Sequence, residues 1–423
     1  METEHKLKKD PHIALRYPEF RSYITMRFVL TFGYQMQAVI IGWYVYHLTK
    51  DPLSLGLIGL AEAIPAIGIA LYGGYIADKS DKKKLLVWVI IAMTACSIIL
   101  FLITIPSISA HLSDKLELWI IYLMVFGIGI ARGFYTPTGF SLMSEIIPKE
   151  HYANSTTWHS SAWQTASIIG PAAGGLLYGF FGVSVCFSVI IMCMLISLIA
   201  IAFFVGDHPA RYVPKENIFK SLSEGIHFVW GNKIMLGALS LDLFSVFFGG
   251  AVALMPVFAN DILKVGSEGL GMLRAAPSLG AVLTMAIMTY YSPMGKPWRN
   301  LLLAVTGFGI SIICFGLSKN FYLSLVFLFF EGAFDSISVI IRSTILQILT
   351  PEEMRGRVSA VNSMFIGSSN EIGSFESGVT ARLMGTVPAV VFGGSMTLLI
   401  VGFTYLKTKT GLQLEQHISN QEV

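Results

Sequence analysis

Charge is scarce in this sequence: Asp, Glu, Lys and Arg make up only 13% of 423 residues, against 54% hydrophobic. A soluble domain carries about a quarter charged residues, so the deficit points to lipid as the solvent. Cysteine is scarcer still. Cys96, Cys186, Cys193 and Cys314 all fall in apolar stretches, with no C-x-x-C pair and no histidine at ligand spacing, and they read as small core residues. A disulfide framework or a thiolate metal site therefore has no support. The sequence also lacks H-E-x-x-H, G-x-S-x-G and the phosphate-binding G-x-x-x-x-G-K-S/T. Neither a membrane-embedded hydrolase nor a pump driven by its own ATP hydrolysis is supported, and no cofactor is implied.

What the chain has in abundance is long apolar runs. A spanning helix needs roughly 20 apolar residues. Twelve such stretches fall near 22–48, 54–77, 85–105, 117–140, 157–179, 184–205, 234–260, 269–291, 300–317, 322–347, 358–384 and 387–405. The first is too long, and followed by too many others, to be a cleavable signal peptide. With the N-terminus inside, the inner loops hold 20 Lys and Arg, while the outer loops hold only Lys50, Lys115, Lys264 and Lys319. This bias predicts both termini on the cytoplasmic side. The net charge of +3 then reports topology, not nucleic-acid binding.

The polar segment 206–233 divides six stretches from six. It predicts an N-terminal six-helix bundle over 1–205, a central cytoplasmic linker over 206–233, and a C-terminal six-helix bundle with a cytoplasmic tail over 234–423. In the linker, Ile218, Leu222, Ile226 and Val229 share one helical face, as in a helix lying on the membrane surface. The halves are also related to each other. An ungapped shift of 203 puts Pro148, Glu150, Gly170, Gly175 and Gly182 on Pro351, Glu353, Gly373, Gly378 and Gly385. A shift of 212 puts Gly59, Ala63, Pro65 and Gly68 on Gly271, Ala275, Pro277 and Gly280. Parallel repeats of this kind place a transporter's binding site between the halves, near mid-membrane.

Between the second and third stretches the chain reads Gly74-Tyr75-Ile76-Ala77-Asp78-Lys79-Ser80-Asp81-Lys82-Lys83-Lys84. This loop resembles the G-x-x-x-D-R/K-x-G-R-R/K-R/K loop of the major facilitator superfamily, with Asp81 where a glycine usually stands. In the fifth stretch, Gly170-Pro171-Ala172-Ala173-Gly174-Gly175 resembles that superfamily's antiporter motif, with Ala166 at its first glycine position. Pro171 removes a backbone hydrogen bond and the glycines permit close helix approach, so the same residues also suit ordinary small-residue packing. Tyr17-Pro18-Glu19-Phe20-Arg21, Ile147-Pro148-Lys149-Glu150 and Thr350-Pro351-Glu352-Glu353-Met354-Arg355-Gly356-Arg357-Val358 resemble the branch containing the enterobactin exporter and macrolide efflux proteins.

The resemblance covers the chain to about residue 405 and implies an all-α membrane protein of twelve helices in two pseudo-symmetric six-helix bundles. It implies a monomer in the bacterial inner membrane that exports a small amphipathic molecule, drug- or siderophore-like, in exchange for protons. A second reading is an importer or facilitator of a small metabolite on the same fold, and a third is a non-transporting receptor. The resemblance further implies a cytoplasmic gating cluster of Gly74, Asp78, Lys79, Lys82, Lys83 and Glu145, which latches the halves near Val358. Asp81 either weakens that turn or adds a second acid to the latch.

Arg27, Glu62, Arg132, Asp242, Arg274, Glu331, Asp335, Arg342, Glu371, Glu376 and Arg382 fall within or near the ends of the spans. A charge at a helix centre costs roughly 2.5–3.5 kcal/mol, so such residues face a cavity or a partner. Glu331, Asp335, Ser338 and Arg342 share one face at i, i+4, i+7 and i+11, and two acids one turn apart make candidate proton carriers. Arg27 on the first stretch and Asp242 on the seventh belong to helices that line the cavity in the family's fold. Glu62 and Arg274 occupy repeat-equivalent positions, either as an inter-half contact or in two separate salt bridges. Arg27, Thr31, Tyr34 and Gln35 share a face, and His159 beside Trp158 and Trp163 is either a packing residue or a proton carrier. Asn370–Glu376 marks either a broken helix lining the pathway or the end of a shorter helix standing in water.

Overall fold

The structure, a computed structural model, describes residues 12–208, 218–288, 290–291, 293–351 and 354–407. Its long helices are α1 (Pro18–Thr49), α2 (Pro52–Lys79), α3 (Lys82–Ile103) and α4 (Asp114–Ile146). The element Tyr152–Phe204 follows. At 1.5 Å per residue it would run about 80 Å, far beyond a hydrocarbon core of about 30 Å. It breaks at Gly182, whose φ of 77° and ψ of 178° are non-helical, giving α5 (152–181) and α6 (183–204). The second half holds α7 (Lys233–Phe248), α8 (Gly266–Met288), α9 (Pro297–Leu317), α10 (Phe321–Leu349), α11 (Arg355–Met384) and α12 (Thr386–Lys407). After α7 the apolar path continues through a break at Gly249–Gly250 to Ile262.

Among the described residues ten helices are long and apolar enough to cross a membrane, with 154–204 counted once. Dividing that element at Gly182 and adding the more polar α11 brings the helices of spanning length to twelve. Boundaries follow local chemistry. Pro18, Pro52 and Pro297 open helices at N1 or N2, where no backbone N–H is missed. Asp51, Asp81, Ser113, Asn232 and Asn320 cap helix N-termini by accepting backbone N–H bonds. Asp81 therefore has a definite role: its Oδ1 accepts from Lys84 N at 3.1 Å and starts α3.

The repeat is visible in the backbone. Gly182 and Gly385, matched by the shift of 203, both take positive φ, at 77° and 92°, where α5 turns into α6 and α11 into α12. Two apolar clusters hold residues of one half each: one spans Ala14 to Val205, another Ala238 to Val401. A third cluster mixes the halves, joining Val39, Trp43, Tyr46 and Leu55 to Leu254, Phe258, Leu273 and Phe315. These residues lie toward the end where α1 meets α2, here called the outer end after the Lys and Arg count.

Two helix pairs close that end, α5 against α8 and α2 against α11. A Cβ on Gly175 would stand 2.6 Å from Gly271 Cα, and one on Gly378 would stand 2.8 Å from Gly56 Cα. Backbones this close leave no room for side chains, which is what small residues provide between membrane helices. Gly175 and Gly378 are repeat mates, so the two contacts are pseudo-symmetric copies. Asp51 and Arg382 add an ion pair at 3.4 Å across the same end.

Two expectations change. The linker helix (Ile218–Gly231) does not lie on lipid by its described face: Val229 is buried with Met235, Leu239, Leu346, Val358 and Val361, and Ile226 packs against them. Arg357 of α11 pairs with Glu224 of the linker helix, a polar tether that a bilayer surface would not supply. The side chains of Ile218 and Leu222 lie outside the described residues. Second, α11 is unbroken from Arg355 to Met384. Its polar residues serve contacts: a Cβ on Gly59 would stand 3.1 Å from Ser374 Cβ, and one on Gly373 would meet Phe247 of α7.

Replacing Gly175 by Val should wedge α5 from α8. Overpacking costs about 1–3 kcal/mol, or roughly a 5- to 150-fold loss of the outer-closed population. Accessibility of outer-end cysteines to a membrane-impermeant thiol reagent measures this, and an unchanged labelling rate would mean that the contact does not close the outer end.

Candidate functional site

Four groups of polar side chains stand where the bundle is otherwise apolar. The first lies within the second half. Asp242 of α7 and Arg342 of α10 form an ion pair with both side chains under 10% exposed. Beside it, Asp242, Ser245, Val246, Val305, Phe308, Asp335 and Ser338 line a cavity of about 10 Å³, room for about one water. The face predicted on α10 explains this arrangement: Asp335 and Ser338 open onto the cavity while Arg342, one turn on, reaches Asp242. Asp335 has no ion-pair partner among the described residues. Glu331, one turn before it, is buried, and its Oε2 has no hydrogen-bond partner.

The second group joins the halves. Tyr34 of α1 donates to Glu62 of α2, and Arg132 of α4 pairs with the same Glu62 oxygen. Arg132 also donates to the Tyr34 hydroxyl at 2.8 Å. From the other half, Glu371 of α11 brings Oε1 to 3.6 Å from the same Arg132 nitrogen. The guanidinium stays within about 5 Å of the Tyr34 ring centre, a cation–π contact. Glu62 and Arg274 thus do not pair. Glu62 is satisfied inside its own half, whereas Arg274 of α8 makes no ion pair among the described residues and its buried Nε has no hydrogen-bond partner.

The third group is in the first half. Tyr23 donates to Gly139 O at 2.9 Å, and His159 Nδ1 lies 3.1 Å from the same hydroxyl with the rings stacked. A phenol has one proton, so the histidine's Nδ1 must supply the hydrogen of the second bond. Arg27 Nε donates to His159 O at 3.3 Å. Gln35 donates to Ser167 at 3.1 Å, tying the same face of α1 to α5. The geometry makes His159 a packed, hydrogen-bonded residue.

The fourth group stands at the inner end. Lys82, only 3% exposed, pairs with Glu145 at 2.8 Å. His208 lies between two acids, 3.1 Å from Glu19 and 3.4 Å from Glu145, and its carbonyl accepts from Lys82 N. Lys83 pairs with Asp207 at 3.4 Å, and Lys79 sits over the Tyr75 ring. Gly74 and the Asp78 side chain lie outside the described residues. Val358 packs with the linker helix and α7, so among the described residues the Lys82–Glu145 pair stays within the first half.

Gly170, Pro171, Gly174 and Gly175 all lie on the faces of α5 against its neighbours. Gly174 packs on Met36 of α1, and a Cβ on Gly271 of α8 would stand 3.1 Å from Pro171 O. Sequence reasoning missed His208, which carries no motif, and the inter-half partnership of Glu371. The latter had one usable signal, an acid in a span whose repeat mate, Ile168, is apolar.

Three comparisons bear on what this arrangement is. The transmembrane secretion effector family matches residues 10–421. The enterobactin exporter EntS of Shigella flexneri is 24% identical over 395 residues, 92% of this chain and 91% of that protein. EntS of Escherichia coli O9:H4 (strain HS) matches at the same identity and coverage. Among solved structures, a POT family transporter in complex with 5-aminolevulinic acid superposes with a TM-score of 0.74 at 12% identity, covering 93% of this chain and 96% of that one. A bacterial homologue of the human lysosomal transporter Spinster, inward-facing and unoccupied, gives 0.70 at 14% identity, covering 94% and 96%. These structural likenesses concern the fold alone.

Asp242→Asn would leave Arg342 buried without its counter-charge. Breaking a buried pair on one side costs about 3–5 kcal/mol, so the unfolding midpoint in detergent should fall, and Asp242→Asn combined with Arg342→Gln should recover most of the loss. An unchanged midpoint in the single variant would refute the pairing.

Proposed function

The chain belongs to the transmembrane secretion effector family of major facilitator transporters, and from that premise we propose that it exports a small amphipathic organic molecule, drug- or siderophore-like, by proton-driven alternating access. That it is a multi-pass membrane transporter and not an enzyme follows from the family and the spans. We further infer export in exchange for protons, a monomeric working unit, and an inner-membrane setting with both termini in the cytoplasm.

The observation that carries the proton step is Asp335, an intramembrane acid that opens on a cavity beside the Asp242–Arg342 pair and has no ion-pair partner among the described residues. An unpaired carboxylate is costly inside a bilayer, and a proton removes that cost. Glu331 stands one turn away on the same helix and is the second candidate, and Asp242 lines the cavity with Asp335. Arg27 and Arg274, which have no carboxylate partner among the described residues, suit the lining of a polar path for substrate. One proton entering down a potential of 100 mV supplies about 2.3 kcal/mol, enough to sustain roughly a 50-fold gradient of substrate.

Alternating access needs a seam that closes at one end and opens at the other. The outer contacts of α5 with α8 and α2 with α11 supply the closed end. At the inner end the pair Lys82–Glu145 is held within the first half, ready to engage the start of α11 when the halves rock. Of the antiporter-like residues of α5, Pro171 and Gly175 belong to the outer contact while Gly170 and Gly174 pack on α1; their place at the seam supports export without naming the cargo.

Asp335→Asn and Glu331→Gln should each insert normally yet lose uphill efflux from proteoliposomes under an imposed proton gradient, by tenfold or more, while downhill flux persists. Unchanged proton-driven transport in both variants would remove the coupling role from this helix face. Susceptibility screening of a deletion strain against siderophores, macrolides and dyes identifies the cargo.

A further inference from the structure

We propose that Glu371 carries a second coupling proton, and that protonation of this residue closes the outer end of the transporter. The inference rests on the proton-driven reading above but concerns a different site, at the seam between the halves, whereas the cavity beside Asp335 lies within the second half.

The argument starts from a charge count. At the base of the outer contact, two carboxylates, Glu62 and Glu371, share a single guanidinium nitrogen of Arg132. Glu62 holds the stronger position, because it is in direct contact with Arg132 and also receives the Tyr34 hydroxyl proton. Glu371 sits at 3.6 Å, with its side chain 25% exposed. Arg274 of α8 makes no ion pair with either acid. With both acids ionised, the three groups carry one negative charge in excess. In low dielectric, a second like charge so close is unfavourable, and one proton makes the group neutral.

The geometry ties that proton to the seam. Glu371 belongs to α11, whereas Glu62, Arg132 and Tyr34 belong to the first half. A Cβ on Gly59 of α2 would stand 3.8 Å from Glu371 Oε2 and 3.1 Å from Ser374 Cβ, so Glu371 is docked against α2 only while α2 and α11 are closed. When they part, Glu371 leaves Arg132 and meets water, and Glu62 keeps its partner. The closed state therefore binds one proton more than the open one.

The sign suits an exporter. With the outer end open, the Glu371 carboxylate takes a proton from the outside water. Closure then brings a neutral carboxyl onto the Arg132–Glu62 pair. With the outer end sealed, the proton leaves by the part of Glu371 that stays exposed. The ionised acid that remains destabilises the closed contact, and the outer end can reopen once substrate is loaded. No bond other than O–H forms or breaks, and one proton crosses at Glu371 per cycle, in addition to the one carried at Asp335.

The test places spin labels at Leu116 and Tyr322, exposed residues near the outer ends of α4 and α10, with Cys96, Cys186, Cys193 and Cys314 replaced by Ala. Distances are measured on full-length protein in lipid nanodiscs between pH 5 and 8. In the parent, lowering the pH should enrich the short distance, by up to about tenfold in closed-to-open ratio per unit for one linked proton. Glu371→Gln, neutral at every pH, should hold the short distance throughout, and Glu371→Asp should restore a pH response. A parent that ignores pH overturns this proposal, while the proton-driven reading is decided separately by the efflux of Asp335→Asn and Glu331→Gln. A responsive parent with an equally responsive Glu371→Gln overturns the assignment to Glu371 alone.

Discussion

Everything in this molecule depends on how closely two helix backbones can approach inside a membrane. Hydrocarbon gives helices no hydrophobic reason to associate, so contact rests on packing, and packing tightens only where side chains are absent. Gly175 on Gly271 and Gly378 on Gly56 meet that condition. They allow two halves, each with its own apolar core, to seal against each other along a strip of backbone. Beside these glycine contacts Val39, Trp43, Tyr46 and Leu55 pack against Leu254, Phe258, Leu273 and Phe315 across the same end, so parting the halves also exposes that shared cluster. The pseudo-twofold relation of the two contacts makes them part together.

Charge is arranged around that seam. The Asp242–Arg342 pair is internal to one half and does not bridge the seam. Arg132 with Glu62 is internal to the other half. Glu371 and the Asp51–Arg382 pair cross between halves, so their energies change when the seam opens. Such a division separates charges that hold each bundle together from charges that sense the relation between bundles. Asp335, opening on a cavity without an ion-pair partner among the described residues, stands apart from both.

Much of the architecture was legible in the residues. The apolar stretches, the lysine and arginine bias and the glycine repeats outlined twelve helices in two halves, and the face of α10 already grouped Asp335, Ser338 and Arg342. Three things were not legible. The linker helix reads as amphipathic, yet nothing in amphipathicity says whether lipid or a neighbouring helix covers the apolar face; Val229 finds Val358 and Val361. The polarity of α11 suggested a broken helix, because a sequence does not show that Ser374 and Glu371 face another helix. The partners of charges were the least predictable, since ion pairing depends on tertiary distance. Glu62 and Arg274 sit at equivalent repeat positions with opposite charge, but Glu62 pairs with Arg132 and Arg274 with neither of them. His208 bridges Glu19 and Glu145 from a segment without any motif.

The central claim is that the outer contact between the halves opens and closes during transport. Cysteines at positions 51 and 382, joined by a short thiol crosslinker in a background lacking the four native cysteines, test it directly. The readout is efflux from cells of whichever siderophore, macrolide or dye the susceptibility screen identifies. The account predicts that crosslinking stops efflux and that a cleavable linker, once reduced, restores it. Efflux at the uncrosslinked rate through a fully locked outer end would contradict it.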